Sequence, residues 1–185
     1  YNINGVKMLE IKSDNIVKIY LLTIEDFKSD EIDKIKDASS FLKQKYIGKY
    51  TVDEFNKPIS DTIFFNVSHS GKFVVLATSS SRNIGVDIEL IRPINDKLKQ
   101  YILNNEEEIN SDIDFFKIYT KKEAVLKCGG KGIDRRLEQI NTSNNIIELD
   151  NKQYRCLTIV KDEYVLSIAL DGVEEFDIEQ IIINK

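Results

Sequence analysis

The stretch Asn83-Ile84-Gly85-Val86-Asp87-Ile88-Glu89 alternates apolar and acidic side chains with a period of two, the pattern of a β-strand. Successive residues of a strand point to opposite faces at about 3.3 Å per residue, so Asp87 and Glu89 share one face and Val86 and Ile88 the other. Two readings of that acidic face stand side by side. A solvated strand produces the same alternation. A hard cation such as Mg²⁺ also selects oxygen ligands in this arrangement, held by one or two carboxylates together with substrate phosphates. A third acid on a later helix separates the readings, and Glu123 in Tyr119-Thr120-Lys121-Lys122-Glu123-Ala124-Val125-Leu126-Lys127 is the candidate.

Upstream of this strand, Phe64 to His69 and Phe73 to Thr78 read as two strands joined through Ser70-Gly71-Lys72. Val17 to Ile24, β-branched and aromatic, suits a first strand. From Ser29 the period changes: Ile32, Ile35, Ala38, Leu42 and Tyr46 recur at three- and four-residue steps, an amphipathic helix ending near Gly48. Downstream, Arg92-Pro93 stops the acidic strand, and helices are expected around 96–108 and 112–128. Ile146 to Leu149, Gln153 to Val160 and Glu163 to Leu170 supply late strands. Glu163 to Ala169 echoes Lys72 to Ala77, each an apolar strand entered from a polar turn, as two similar α+β halves would produce.

The 185 residues, 42% hydrophobic and 31% charged, are enough for a sizeable core. A net charge of -5 argues against a sequence-independent grip on nucleic acid phosphates. Cys128 and Cys156 stand far apart without a C-x-x-C spacing or a histidine cluster, which disfavours a disulfide framework or structural zinc and fits a reducing cytosol. The apolar stretch Ile16 to Ile24 falls short of the roughly 20 residues a bilayer span needs, so neither a membrane segment nor an export signal is expected. Met8 is the only methionine, so residues before it read as upstream sequence.

Glu123 and Lys127 are neighbours on one helix face, a spacing that a surface ion pair shares. The sequel Cys128-Gly129-Gly130-Lys131-Gly132 ends the helix and lets backbone approach a ligand, although an ordinary C-cap looks alike and the order is not that of a Walker loop. His69, the only histidine, sits between Ser68 and Ser70, placed for anion contact or for structural hydrogen bonding rather than a catalytic triad. Glu106-Glu107-Glu108 after Asn104-Asn105 reads as a helix start. Lys36, Lys43, Lys45 and Lys49 form a basic stretch that a solvated face or a phosphate site would equally show.

Taken in order, Asn56-Lys57-Pro58, Phe65-Asn66-Val67-Ser68-His69-Ser70, Ile84 to Glu89 and Lys122-Glu123-Ala124-x-x-Lys127-x-x-Gly130-x-Gly132 resemble the 4'-phosphopantetheinyl transferase superfamily, surfactin-synthetase-activating type. The resemblance implies an α+β pseudodimer of two similar lobes, 1–90 and 91–185, with the active site in the cleft between them. It implies transfer of the phosphopantetheine arm of coenzyme A to a serine of an apo acyl or peptidyl carrier protein, releasing adenosine 3',5'-bisphosphate, by a cytoplasmic monomer. By the same resemblance Asp87, Glu89 and Glu123 hold Mg²⁺, and Lys127 stabilises the leaving bisphosphate. Glu123, or an acid matching Glu106, takes the serine proton. Lys57, Ser68 and His69 meet coenzyme A phosphates, and Glu163 to Ala169 looks like the closing strand. Lys117, Lys121 and Lys122 are expected in a basic patch for an acidic carrier. Tyr119 stands where the family often has tryptophan and Asn56 where it has glycine. The region before residue 56 is short and lacks arginines in its first helix, where Lys36 and Lys43 are the available replacements; a non-catalytic module that binds a carrier or coenzyme A is the alternative.

Overall fold

A computed structural model describes residues 15–24, 31–54, 57–130 and 137–183. Asn56, Lys131, Gly132, Met8 and the expected helix start at Ser29 lie outside the described residues. The chain runs β1 (Ile16–Thr23), α1 (Glu31–Tyr46), β2 (Thr51–Val52), β3 (Pro58–Ile59), β4 (Phe64–Ser70), β5 (Phe73–Ser79) and β6 (Ile84–Leu90). It continues through α2 (Asp96–Ile102), α3 (Asp112–Gly129), β7 (Ile146–Leu149), β8 (Lys152–Val160), β9 (Tyr164–Asp171) and β10 (Asp177–Ile183), an α+β protein.

Two four-stranded sheets carry the fold, in orders β10-β1-β5-β4 and β6-β9-β8-β7. The alternation in their strands explains how they stack. Val17, Ile19 and Leu21 of β1 and Val75 and Ala77 of β5 face Val86 and Ile88 of β6 and Leu166 and Ile168 of β9 in one core cluster. On its other face the first sheet turns Tyr20, Leu22, Val74 and Leu76 to Ala38 and Leu42 of α1. The second sheet turns Cys156 and Ala169 to Ala124, Val125 and Cys128 of α3. Each fully buried aliphatic side chain in these layers contributes roughly 1.5–3 kcal/mol.

Helix α3 is closed at both ends by its own residues. Ser111 Oγ accepts the Asp114 N–H at 3.2 Å and donates to Asp114 Oδ2 at 2.9 Å, with Asp112 and Asp114 in the first turn. At the other end Gly130 adopts φ 77° and donates its N–H to Leu126 O, the left-handed cap that glycine supplies.

The expected helix over 96–108 stops at Ile102, and no helix begins at Glu106 to Glu108. Leu103 is extended at φ -75°, ψ 137°, and the Asn104 side chain accepts the Glu106 N–H at 3.0 Å. That local bond satisfies the backbone as a turn instead of a helix. β9 is not the last strand: β10 follows it and pairs in parallel with β1. Within 1–90, β6 is hydrogen-bonded to β9 of the second sheet, and within 91–185, β10 belongs to the first. Among the described residues no helix is long and apolar enough to cross a membrane.

Candidate functional site

A glycine sets the site. A Cβ on Gly85 of β6 would collide with the backbone of α3 at Ala124 O and Cys128 N. Only hydrogen fits, so the helix crosses the strand in close contact there. Two residues further along the same face of β6 comes Asp87, and two more Glu89. Each one residue before a contact residue, and one turn from each other, α3 presents Glu123 and Lys127. Val86 and Ile88 lie on the inner side at 0% exposure, and Asp87 is itself buried at 4%, so its face of the strand is a covered one.

Lys127 Nζ lies 2.6 Å from Asp87 Oδ1 and 3.0 Å from Ser68 Oγ, and Ser68 donates to the same Asp87 oxygen at 2.9 Å. Lys127 therefore pairs with Asp87, not with Glu123. Asp87 Oδ2 is buried and has no hydrogen-bond partner among the described residues. Glu89 Oε2 accepts from Ser70 at 2.8 Å and from Arg92 at 2.9 Å. Glu123, 4% exposed, makes no hydrogen bond among the described residues.

Electrostatics explain what the cluster lacks. Burial, then the charges of Asp87 and Glu89, push the Glu123 carboxyl up to about 7, against an opposing pull from Lys127. Burial also raises Asp87, opposed by Lys127 and Ser68. The Tyr119 phenol moves up as well, from burial and then the Glu123, Asp87 and Glu89 charges. Three carboxylates thus share one central ammonium, with Arg92 at the edge. Uncompensated buried charge is expensive, and it is relieved either by a proton, as on Glu123, or by another cation. The orphaned Asp87 Oδ2 and the all-oxygen donor set fit a hard divalent ion. Among the described residues no group of three His, Cys, Asp or Glu side chains is placed to hold a metal ion. The acids are gathered rather than preassembled.

The other expected residues divide. Lys57 Nζ donates to Lys127 O at 2.9 Å and Cys128 O at 3.5 Å, a cation on the C-terminal end of α3. With Asp53, Phe64, Asn83 and Gly130 it lines a cavity of about 310 Å³. His69 is exposed on β4, while Ser68 is buried among the acids. Glu106 is exposed, accepts from Asn141 Nδ2 at 2.6 Å and does not join the cluster. Lys36 and Lys43 on α1 also stay apart, Lys36 4.0 Å from Asp33 and Lys43 over the Tyr50 ring.

Lys122 is not part of a surface patch, because it is fully buried. Its Nζ sits 2.6 Å from Glu107 Oε2 and donates to Ile102 O at 2.6 Å. Glu107 in turn accepts the Asn104 N–H and both the N–H and the O–H of Thr142. The sequence carried a sign of this: Lys122 falls on the stripe Phe115, Ile118, Leu126, where a charge must be buried and paired. Lys117 and Lys121 do line a surface cavity of about 500 Å³ with Arg155.

Residues 83–169, from the start of β6 through most of β9, match the sequence profile of the 4'-phosphopantetheinyl transferase superfamily. Over 123 residues, 54% of this chain and 52% of the relative, it is 34% identical to the 4'-phosphopantetheinyl transferase gsp of Aneurinibacillus migulanus. It is 33% identical over 145 residues to 4'-phosphopantetheinyl transferase HetI of a Nostoc species, covering 67% of this chain and 61% of that one. For 4'-phosphopantetheinyl transferase Sfp of Bacillus subtilis the identity is 29% over 104 residues, 50% of this chain and 46% of the relative. The chain thus spans about half the length of these curated relatives. The profile match contains Asp87, Glu89, Glu123 and Lys127 together, so all four residues of the cluster lie in the part of the chain that is similar to the 4'-phosphopantetheinyl transferase superfamily.

Proposed function

We propose that this protein moves the 4'-phosphopantetheine arm of coenzyme A onto a serine hydroxyl of an apo acyl or peptidyl carrier protein, as a magnesium-dependent transferase of the surfactin-synthetase-activating type. The observation that carries the reading is the buried Asp87 Oδ2, without a hydrogen-bond partner among the described residues, beside Glu89 and Glu123, with Lys127 at the centre of the three acids and Arg92 at their edge. The names of the relatives support the substrate class.

In the proposed reaction the serine Oγ attacks the pyrophosphate phosphorus next to the pantetheine arm. The bond from that phosphorus to the bridging oxygen breaks, and adenosine 3',5'-bisphosphate leaves. Asp87, Glu89 and Glu123 would hold a Mg²⁺ ion, whose chemistry would be to neutralise charge on the phosphate oxygens. Glu123, on the helix face beside Asp87 and Glu89, is assigned to take the serine proton as general base. Lys127 has its ammonium within the same cluster, where it offers a proton or a charge to the leaving bisphosphate. Lys57 and His69 are assigned to coenzyme A phosphates. Glu106, bonded to Asn141, is left without a part in the proton transfer.

The two helix-backed sheets serve as the lobes, and the two free buried thiols Cys128 and Cys156 suit a reducing cytoplasm. The lysines of α1 standing apart from the acids favour one other reading, a module that binds carrier or coenzyme A without turnover.

The test is incubation with coenzyme A, Mg²⁺ and a panel of apo carriers, read as a mass gain of the carrier. Transfer should disappear in Asp87→Ala while the far-ultraviolet dichroism is unchanged. Carrier binding by calorimetry with no mass gain on any carrier would replace the enzyme by the module.

A further inference from the structure

β4 and β6 lie side by side but belong to different sheets. Side chains, not a backbone ladder, cross the seam. Alternation on β4 puts Asn66, Ser68 and Ser70 on one face, and all three bond to β6. Asn66 Oδ1 accepts the Val86 N–H at 3.0 Å. Ser68 donates to Asp87 Oδ1 at 2.9 Å, and Ser70 donates to Glu89 Oε2 at 2.8 Å while accepting the Leu90 N–H at 3.1 Å.

The pattern on the acids is the informative part. Each carboxylate has one oxygen tied to a β4 hydroxyl, and its other oxygen is left over: Asp87 Oδ2 has no partner, and Glu89 Oε1 accepts no hydrogen bond among the described residues. A hydrogen bond to one oxygen fixes the carboxylate's rotation and aims the other, which is how outer groups orient metal ligands. Ser68 is 5% exposed, and its hydroxyl already donates to Asp87 and accepts from Lys127. A phosphate oxygen could accept from that hydroxyl only in place of Asp87 Oδ1.

We propose that Ser68 and Ser70 are positioning residues of the cation site, holding Asp87 and Glu89 with one oxygen each toward the ion, and that Ser68 is not a contact of the coenzyme A 3'-phosphate. The proposal rests on the cation reading of the acids given above. It assigns β4 a division of labour by face. Ser68 and Ser70 orient the acids, and His69, on the opposite face, is left for the ligand.

The experiment measures Mn²⁺ binding by electron paramagnetic resonance on the purified chain without coenzyme A. Ser68→Ala and Ser70→Ala should each weaken Mn²⁺ binding by about 10- to 100-fold. Ser70→Thr, which keeps the hydroxyl at a half-buried position, should restore it. Calorimetry should find that the preference for coenzyme A over its 3'-dephospho form is the same in Ser68→Ala as in the wild type. Unchanged Mn²⁺ affinity in both alanine variants, even with a lowered melting temperature, would reduce the serines to stitches between sheets and overturn the proposal. Loss of the 3'-phosphate preference in Ser68→Ala would return Ser68 to the coenzyme. A wild-type chain that binds no Mn²⁺ either alone or with coenzyme A added removes the cation reading itself, an outcome distinct from equal binding by wild type and variants.

Discussion

Glu123 illustrates how a single side chain can be costly to the fold and useful to the chemistry. Its carboxyl titrates near 7 in the folded protein, against 4.5 for the ordinary group. Above pH 7 the group is ionised both folded and unfolded, and the folded state bears the full penalty of a buried charge among like charges. As the pH falls from 7 toward 4.5 the folded protein takes up a proton that the unfolded chain still declines, and the penalty fades. Metal-free protein should therefore gain stability on going from pH 8 to pH 5, by about 2–3 kcal/mol from this group. Asp87, shifted the same way, adds to the trend. Urea midpoints in the presence of a chelator check this. Glu123→Gln should flatten the pH dependence and raise the pH 8 midpoint while abolishing transfer. That Asp87 and Glu89 share one face was legible from alternation alone, because a strand's period maps directly onto its faces; that this face is covered was not. What Ser68 and Ser70 touch was not, since their partners lie across a seam that no local pattern marks.

At the scale of elements, the crossing of α3 over β6 depends on one missing side chain. Gly85→Ala forces the helix backbone away from the strand, because the atoms in the way are main-chain Ala124 O and Cys128 N. Overpacking of this kind costs typically 1–3 kcal/mol. Denaturant unfolding should show that loss, and Mn²⁺ binding should weaken with it as Glu123 and Lys127 shift from the acids. The opposite flank of α3 is held by the buried Lys122–Glu107 pair. Glu107→Gln leaves an ammonium without its counter-charge and should cost about 3–5 kcal/mol. Lys122→Met with Glu107→Leu should recover much of that in urea titrations, the behaviour of a structural rather than a catalytic pair. The helices α1 and α3 were readable from their apolar periods. The early stop of α2 was not, because the Asn104 side chain competes for the backbone through a bond that composition does not disclose. The same turn holds Glu107 and so explains why an acid run resembling a helix start is an anchor instead.

For the whole molecule, the sheet-helix layers follow from strands whose two faces are both apolar, as in Tyr164 to Leu170, with every residue buried. The place of β10 does not follow. Asp177 to Ile183 mixes exposed acids with isoleucines, and only the free edge of β1 gives it a partner. That pairing joins the first described strand to the last through a parallel register running from Ile16 with Asp177 to Leu22 with Ile183. During synthesis from the amino end, β1 can meet β5 as soon as residues 73–79 emerge, yet its other edge stays open until residues 177–183 have been made. Contacts of such long sequence separation slow folding, and an open edge invites pairing with another chain in the interval. The first sheet is thus completed only after the acids of β6 and the helix that faces them are available to fold, and a nascent chain halted before β10 leaves the edge of β1 open to pairing with another chain.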